Sequence, residues 1–332
     1  MRKVYSIIVL ISTSVCAIAQ DMHFSQFTNF SQQYNPGLTG QFEQLLKVQT
    51  ARREQWNSVV NGYETNGIDA QYKLLSNFND NFLGFGVMAL QDKAGKTGIK
   101  SLNIKASAAF HMLVNERNLI SSGVQFGYEQ RTFDLAGLAW DSQWNGVNYD
   151  PTLDDRERFV TTNRNYMDVG VGVNWKTRRR KWRISTGYGL FHARQQITIV
   201  ARGDDRNQLR HAVNGYFIKK YRFVEIQYNY LFQRQAGAQE IMFGLDVFYK
   251  IGSDSKFTNR TTSSSLHGGC NVRWSDALHP FIGFDYKKFV GFTFGYDFRF
   301  PKIQYLDQRP GGLEVGLYYS GMPERKRMKI IK

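Results

Sequence analysis

The residues best suited to acid–base, nucleophilic or metal chemistry are the histidines, and all six are scattered along the chain: His23, His111, His192, His211, His267 and His279. A hydrolase needs a histidine beside a nucleophilic serine. His267 with Ser264 and Ser265 is the nearest approach, but no Gly-x-Ser-x-Gly or His-Glu-x-x-His motif is present. The sequence therefore predicts a protein that is not an enzyme and that has no catalytic residue and no cofactor.

A second candidate for chemistry is a group of four aspartates in one connecting segment: Asp141, Asp150, Asp154 and Asp155. Calcium loops place their oxygen ligands at alternate positions before a glycine, and this spacing does not match. Arg156 and Arg158 also lie beside the aspartates. We expect a solvated loop here and no metal site.

The N-terminus has the pattern of a secretory leader. Arg2 and Lys3 precede an apolar stretch over 4–15, and Ala17-Ile18-Ala19 fits a cleavage site. Residues 1–19 are therefore predicted to be a cleaved signal peptide, with cleavage between Ala19 and Gln20. A lipoprotein leader anchored at Cys16 is the alternative. Export argues against nucleic acid as the partner of this basic chain, whose net charge is +15.

Most of the mature chain alternates between apolar and polar or small residues with period two, which is typical of strands. Residues 167–175 are one example, with Met, Val, Val, Val and Trp on one face. We predict strands near 43–56, 62–74, 82–93, 98–114, 117–132, 164–177, 181–201, 208–220, 222–235, 238–251, 264–274, 277–287, 288–299 and 311–320. Most are long enough to cross a bilayer when tilted.

Two architectures could hold fourteen such strands: a soluble sandwich or propeller, and a closed transmembrane barrel. The polar face is rich in Gly, Asp, Glu and Arg, and the apolar face ends repeatedly in aromatic residues, which favours the barrel. The mean hydropathy of −0.44 excludes a helical membrane bundle. The fold class predicted is all-β: an antiparallel outer-membrane β-barrel of about 14 strands, multi-pass, with both termini in the periplasm.

This interpretation divides the chain into the signal peptide, an irregular segment over 20–42, a barrel over 43–320 and a basic periplasmic tail over 321–332. The irregular segment lacks strand periodicity but contains Phe24, Phe27, Phe30 and Tyr34, which need burial. We expect it to fold as a plug toward the periplasmic mouth. The longest connection, 133–163, is expected on the outer side.

Charged residues on the lumen-facing side of the strands are expected to form an internal lattice of salt bridges. They are Lys47, Arg53, Asp69, Lys73, Asp168, Glu225, Glu240, Asp246, Asp297, Arg299 and Glu314.

Several blocks of this sequence resemble the PorP/SprF family of type IX secretion system membrane proteins. The blocks are 20–27 with His23, Phe24, Ser25, Gln26 and Phe27; 34–40 with Asn35 and Pro36; 53–56 with Arg53, Gln55 and Trp56; 91–95 with Asp92, Lys93 and Gly95; and Gln143, Asp150 and Pro151 in the long loop. The family more often has Ala at Gly37 and Asn at Glu54.

The resemblance implies an outer-membrane barrel of Bacteroidota that takes part in protein secretion and, in some species, gliding motility. It also implies partners: type IX machinery proteins in the periplasm or outer membrane, a secreted adhesin as cargo, and outer-membrane lipid. The motif residues are then candidate partner contacts. We predict a non-enzymatic component that anchors the machinery or assists export and surface retention of an adhesin. The alternative is a passive, porin-like diffusion channel with a charged lumen.

Overall fold

The computed structural model describes residues 22–55, 62–75, 81–94, 99–132, 141–150, 152–153, 163–193, 208–252, 263–300 and 311–321. The predicted signal peptide and cleavage site, most of the basic tail, and most of the long loop lie outside these residues. No helix in the described ranges has the length and apolar character needed to cross a membrane.

Fourteen antiparallel strands form one closed barrel. They are β1 (Leu46–Gln55), β2 (Tyr63–Leu75), β3 (Phe82–Ala94), β4 (Ile99–Asn115), β5 (Asn118–Thr132), β6 (Asn163–Arg178), β7 (Trp182–Phe191), β8 (Arg210–Lys220), β9 (Val224–Gln235), β10 (Ala238–Ile251), β11 (Ser264–Arg273), β12 (Ala277–Tyr286), β13 (Val290–Arg299) and β14 (Gly311–Gly321). Each strand pairs with its sequence neighbours, and β1 pairs with β14 from Leu46↔Gly321 to Gln55↔Gly312. Closure leaves no unpaired strand edge among the described strands.

The alternation in the sequence places apolar residues outside and polar residues inside. On β6, Val171 and Val173 are exposed on the outer surface, whereas Asp168 and Asn174 are buried on the inner one. An apolar outer band of this kind is stable only against lipid. The protein is therefore an outer-membrane barrel, as predicted.

Exposed aromatic residues lie toward both ends of the outer surface. One group comprises Tyr72, Trp175, Tyr249, Tyr286 and Tyr319; the other comprises Tyr63, Trp274, Tyr296, Phe298 and Phe300. Amphipathic rings of this type favour the headgroup region of a bilayer.

We call the end where β1 begins and β14 finishes the terminal end, and the opposite end the loop end. Short turns join strands at the terminal end, as between β4 and β5, β8 and β9, and β12 and β13. The long connection between β5 and β6 lies at the loop end. This division agrees with the sequence-based expectation for the long loop. It does not hold throughout, because the connection over 252–263 lies at the terminal end, and short turns join β9 to β10 and β11 to β12 at the loop end.

The number of strands agrees with the prediction, and most boundaries agree within two residues. The prediction was wrong for β7, which was expected to run to residue 201 but ends at Phe191. His192 has a left-handed backbone (φ 59°) and turns inward, where its amide donates to Asp168 over 2.9 Å. That bond takes the chain out of the sheet. β1 also begins at Leu46 rather than at residue 43.

Residues 22–42, which we call the lumen segment, lie inside the barrel. They form two short 3-10 helices, Ser31–Gln33 and Pro36–Leu38, joined by irregular backbone. His23 contacts Arg53 and Arg273 at the loop end, whereas Thr39 and Gly40 approach Gly84 near the terminal end. The segment therefore runs along the lumen and is not confined to the mouth, where we expected it.

A charge on the lipid-facing surface is expected to destabilise the barrel according to its depth. Val171 lies near the middle of β6 and pairs with Val124. Val171→Arg should lower the free energy of unfolding by about 2–4 kcal/mol, whereas Tyr286→Arg at a strand end should cost about 0–1 kcal/mol. Urea unfolding in lipid vesicles, followed by tryptophan fluorescence, measures both. Equal losses would contradict the assigned lipid-facing band.

Candidate functional site

The candidate site is the lumen, where the barrel wall holds the lumen segment through its backbone. Both carboxylate oxygens of Glu314 on β14 are used: the amides of Ser25 and Gln26 donate to them over 2.7 and 3.0 Å. The Ser25 hydroxyl also donates to Asp297 on β13 over 2.9 Å. Two successive amides on one carboxylate fix the direction of the chain at this point.

Arginines of the wall complete this contact at the loop end. The Arg53 guanidinium donates to the carbonyl of His23 over 2.8 Å and to Asp297 over 2.7 Å. Arg273 contacts the His23 ring, and the Asn271 amide donates to the Ser25 carbonyl over 3.0 Å. Arg53 thereby joins the lumen segment to an acidic group of the barrel wall.

Aromatic side chains of the segment pack on two opposite sides of the lumen. Phe24 and Phe30 stack with ring centroids 4.7 Å apart, and they form one buried cluster with Ala51, Met88 and Leu90. Phe27 and Tyr34 form another, with Phe191, Ala212, Leu231 and Met242. Burying an aromatic side chain contributes about 1.5–3 kcal/mol relative to exposure, so these four rings are the main apolar anchors of the segment.

Asn35 fixes the turn in the middle of the segment. Its side-chain oxygen accepts from the Gly37 amide over 2.9 Å, and its side-chain nitrogen donates to the Val173 carbonyl over 3.0 Å. Pro36 begins the second 3-10 helix, where its missing amide costs nothing. Asn35 therefore caps the second 3-10 helix and attaches it to β6.

Glycines on the inner surface leave the room that this backbone needs. A Cβ at Gly123 would lie 2.4 Å from the Pro36 carbonyl oxygen, and one at Gly172 would lie 2.2 Å from the Asn35 side chain. Other inner glycines face the segment in the same way. We call the full set the glycine wall: Gly67, Gly84, Gly86, Gly123, Gly172, Gly187 and Gly189. It lies on β2, β3, β5, β6 and β7.

One buried cluster of side chains contains the ligand atoms that a metal site needs. Oxygens of Glu129 and Asp168 and a ring nitrogen of His192 lie within 4.8 Å of one another. However, the Lys105 ammonium lies 3.6 Å from Glu129 and 4.0 Å from Asp168, and Tyr166 donates to Glu129. Lysine therefore supplies the positive charge that a cation would bring, and the arrangement is a buried ion-pair network.

The structure brings nine of the predicted site residues together in the lumen: His23, Phe24, Ser25, Gln26, Phe27, Asn35, Pro36, Arg53 and Gln55. Gln55 joins them by donating to Asp297 over 3.3 Å. Asp92 instead accepts from Thr65 over 2.6 Å, and Lys93 is exposed. Trp56, Gly95, Pro151, Ala19 and Gln20 lie outside the described residues.

Gln143 and Asp150 make hydrogen bonds within the described part of the long loop, residues 141–150 and 152–153. The Gln143 side chain donates to the Leu153 carbonyl over 3.2 Å and accepts from Tyr149 over 3.1 Å. The side chain and amide of Thr152 donate to the Asp150 carboxylate, which lowers the pKa of this exposed group. The contact of these two residues with a partner stays a prediction.

The predicted internal lattice of charges is present in part. Arg53 pairs with Asp297, Arg183 with Glu225, and Lys105 with Asp168. Asp69 is held by the amides of Gln32, Gln49 and Gln71 and by no described cation within 4 Å. The wall thus mixes ion pairs with side-chain amides that serve the lumen segment.

Several residues that hold the segment were not predicted. Gln32 and Gln33 are buried, Gln125 donates to the Gln32 carbonyl over 3.1 Å, and Arg210 donates to the Gln33 carbonyl over 3.0 Å. The sequence did contain one indication that something packs against the inner face of the strands. Met88, Leu90, Leu231 and Met242 are apolar residues on a face that is otherwise polar. Apolar residues on a lumen face indicate a second layer packed against it.

The family model described as "Type IX secretion system membrane protein PorP/SprF" matches residues 17–319, nearly the whole chain. Among curated proteins, none matches this sequence.

Solved barrel structures resemble this one in shape but have little sequence in common with it. A TodX deltaS2S3 mutant, a monoaromatic hydrocarbon channel, has 9% identity and a TM-score of 0.56 over 88% of this chain and 94% of its own. The CymD monoaromatic hydrocarbon channel has 10% identity and a TM-score of 0.49 over 88% and 93%. A Pseudomonas aeruginosa FadL homologue has 9% and 0.49 over 86% and 92%. At this identity, the TodX likeness shows the fold alone.

Filling the glycine wall should displace the lumen segment. Gly123→Ala places a Cβ against the Pro36 carbonyl and 2.7 Å from the Gly37 amide nitrogen, both of which are backbone atoms. Chymotrypsin should then cleave between residues 24 and 42 faster than in the wild type, as measured by mass spectrometry of the folded barrel.

Gly127→Ala is the matched control, because Gly127 is on the same strand and face. Its added Cβ would meet only side-chain atoms of Asp168 and Lys105, at 3.3 Å. Equal cleavage of the two variants would contradict the close approach between the glycine wall and the segment.

Proposed function

Since the chain belongs to the PorP/SprF family of type IX secretion system membrane proteins, we propose that it is a non-enzymatic component of this system that anchors the machinery or assists export and retention of a secreted adhesin. It is an outer-membrane component of the system. The observation that carries the finer proposal is the lumen filled by residues 22–42, which favours a role in contact over a role in conduction.

The proposal assigns the two ends of the barrel different partners. The terminal end, with its short basic turns, faces the periplasm and meets the machinery. Arg179, Arg180 and Lys181 between β6 and β7, and Lys287 and Lys288 between β12 and β13, supply positive charge there. The loop end faces outward, and the long loop after β5 contacts the cargo.

Contact along the lumen segment explains why its motif residues cluster. His23, Ser25 and Gln26 bond to wall residues on the neighbouring strands β1, β11, β13 and β14, and Asn35 bonds to β6 on the other side of the barrel, so the segment ties distant strands together. Such internal bracing, by which we mean contacts of the lumen segment with several strands, stabilises a barrel that is bound to a periplasmic complex at one end and to a surface protein at the other. We propose that this bracing, rather than passage of a solute, is the purpose of the occupied lumen.

Deleting the gene tests the role in secretion. We expect one or more type IX substrates to disappear from the surface and the medium, measured by quantitative proteomics of both fractions. Reintroduction of the wild-type gene should restore them. Unchanged export of every substrate would contradict the proposal.

Conductance distinguishes the proposal from the porin-like alternative. In planar bilayers, the wild-type barrel should show little stable conductance because the lumen segment fills the pore. A variant lacking residues 22–40 should conduct ions steadily. Stable wild-type channels, unchanged by this deletion, would instead support a diffusion channel.

A further inference from the structure

A cavity of about 350 Å³ opens at the terminal end, on the side of the lumen away from the glycine wall. Its lining comes mainly from β8 to β14 and β1, with Phe30 and residues 42–44 of the chain on the inner side. Near the terminal end, the lumen segment packs closely against β2 to β5 and leaves this space beside it. The volume is in the range of small-ligand sites.

Two lysines face this cavity without an acidic partner in the described part of the chain. Among the described residues, no carboxylate lies within 4 Å of the ammonium group of Lys47 or Lys250. The other cationic side chains of the cavity are paired: Lys220 with Glu225 at 3.1 Å, Lys288 with Glu43 at 3.3 Å, and Arg183 with both acids.

Two acids lie near Lys47 beyond ion-pair distance, Asp69 and Asp285, and both are already engaged. Asp69 accepts from the side-chain amides of Gln32, Gln49 and Gln71. Asp285 accepts from Tyr318 over 2.7 Å and from Ser265 over 2.9 Å, while the Lys47 ammonium lies 5.9 Å from the centre of the Tyr318 ring. An ammonium group inside a barrel is stabilised by an anion. The two lysines therefore provide a place for a carboxylate from outside the chain.

Buried neutral and acidic groups in the same cavity also lack hydrogen-bond partners within the described ranges. One oxygen of Asp246 accepts from Asn229 over 2.8 Å, and its other oxygen has no hydrogen bond to a described residue. The Thr293 hydroxyl and the side-chain nitrogen of Gln26 have none in this part of the chain either. These three residues are only 5%, 8% and 3% exposed, so each unsatisfied atom carries a desolvation cost.

These buried atoms have almost no accessible surface, so a ligand in the cavity is specified by the two lysines instead. The ammonium groups of Lys47 and Lys250 require an anion. A peptide with an acidic side chain or terminus supplies a carboxylate and, unlike a small inorganic anion, also extends along the rest of the cavity. Phe248 and Phe281 also line the cavity and offer apolar surface to such a chain.

We propose that this cavity binds a carboxylate-bearing peptide segment of a partner protein, with Lys47 and Lys250 as its counter-ions. The inference rests on the proposed function, since it gives the chemistry of the machinery contact at the terminal end. Basic residues around the mouth attract an acidic segment toward the cavity. They include Lys219 at the end of β8, and Arg222 and Lys287 in the turns.

Fluorescence anisotropy with the full-length barrel in detergent tests this directly. The probe is the fluorescein-labelled tetrapeptide Gly-Glu-Phe-Glu, and its comparison peptide has glutamine in place of both glutamates. We expect saturable binding of the acidic peptide only, weakened by added salt. Lys47→Met with Lys250→Met should weaken it by about tenfold or more.

Two further variants control for folding and for net charge. Lys47→Arg with Lys250→Arg keeps the charges and should retain binding. Lys93→Met with Lys100→Met removes the same number of charges from exposed positions near the loop end and should leave affinity unchanged. Heat-modifiable migration in gels verifies that every variant is a folded barrel.

Any one of four results would overturn the inference. The glutamine peptide binds equally well, or inorganic phosphate at the same concentration displaces the acidic peptide. Alternatively, the methionine variant keeps its affinity for the acidic peptide, or the wild type shows no saturable binding. The gene-deletion experiment does not depend on these lysines. If deletion abolishes secretion while the methionine variant binds normally, the inference fails and the proposed function stands. If secretion is normal after deletion while peptide binding depends on the lysines, the inference stands and the proposed function fails.

Discussion

The structure depends on satisfying the backbone of an irregular segment at the depth of a membrane. Within a bilayer, peptide N–H and C=O groups outside regular structure must find partners inside the protein. Here the wall supplies them: Glu314 accepts two amides, Arg53, Arg210 and Asn271 donate to carbonyls, and Gln71 accepts from the Gly40 amide. The polar inner face of the barrel is therefore largely a set of partners for residues 22–42.

This requirement explains the two different sides of the lumen. Strands β2 to β7 carry the glycine wall, which allows the backbone of the segment to approach within hydrogen-bonding distance of the sheet. Strands β8 to β14, together with β1, surround the cavity that contains Lys47 and Lys250 near the terminal end. Both sides of the lumen thus hold the segment, but only the side away from the glycine wall leaves space beside it near the terminal end.

The architecture could be predicted from the sequence because a barrel strand repeats its environment every second residue. The period-two pattern, the aromatic strand ends and the polar inner face sufficed for fourteen strands, and the PorP/SprF family was recognisable from motif blocks. The end of β7 was missed because it depends on the bond between His192 and Asp168, which are far apart in sequence. A hydrogen bond between residues distant in sequence leaves no trace in the period-two pattern.

The site was predictable only in part, for the same reason. Phe24, Phe27, Phe30 and Tyr34 indicated burial, but the sequence did not indicate that the segment would extend to the loop end. Its partners, such as Glu314 for Ser25, are nearly 290 positions away.

Hydrogen exchange of the folded barrel tests the central claim most directly, because it reports on the backbone amides of the segment themselves. Mass spectrometry of peptides covering residues 23–40 should show protection comparable to that of strands β1 and β14, since wall side chains and buried turns engage many of these groups. Exchange as fast as that of an unstructured peptide, in a barrel whose strands remain protected, would show that the segment does not occupy the lumen.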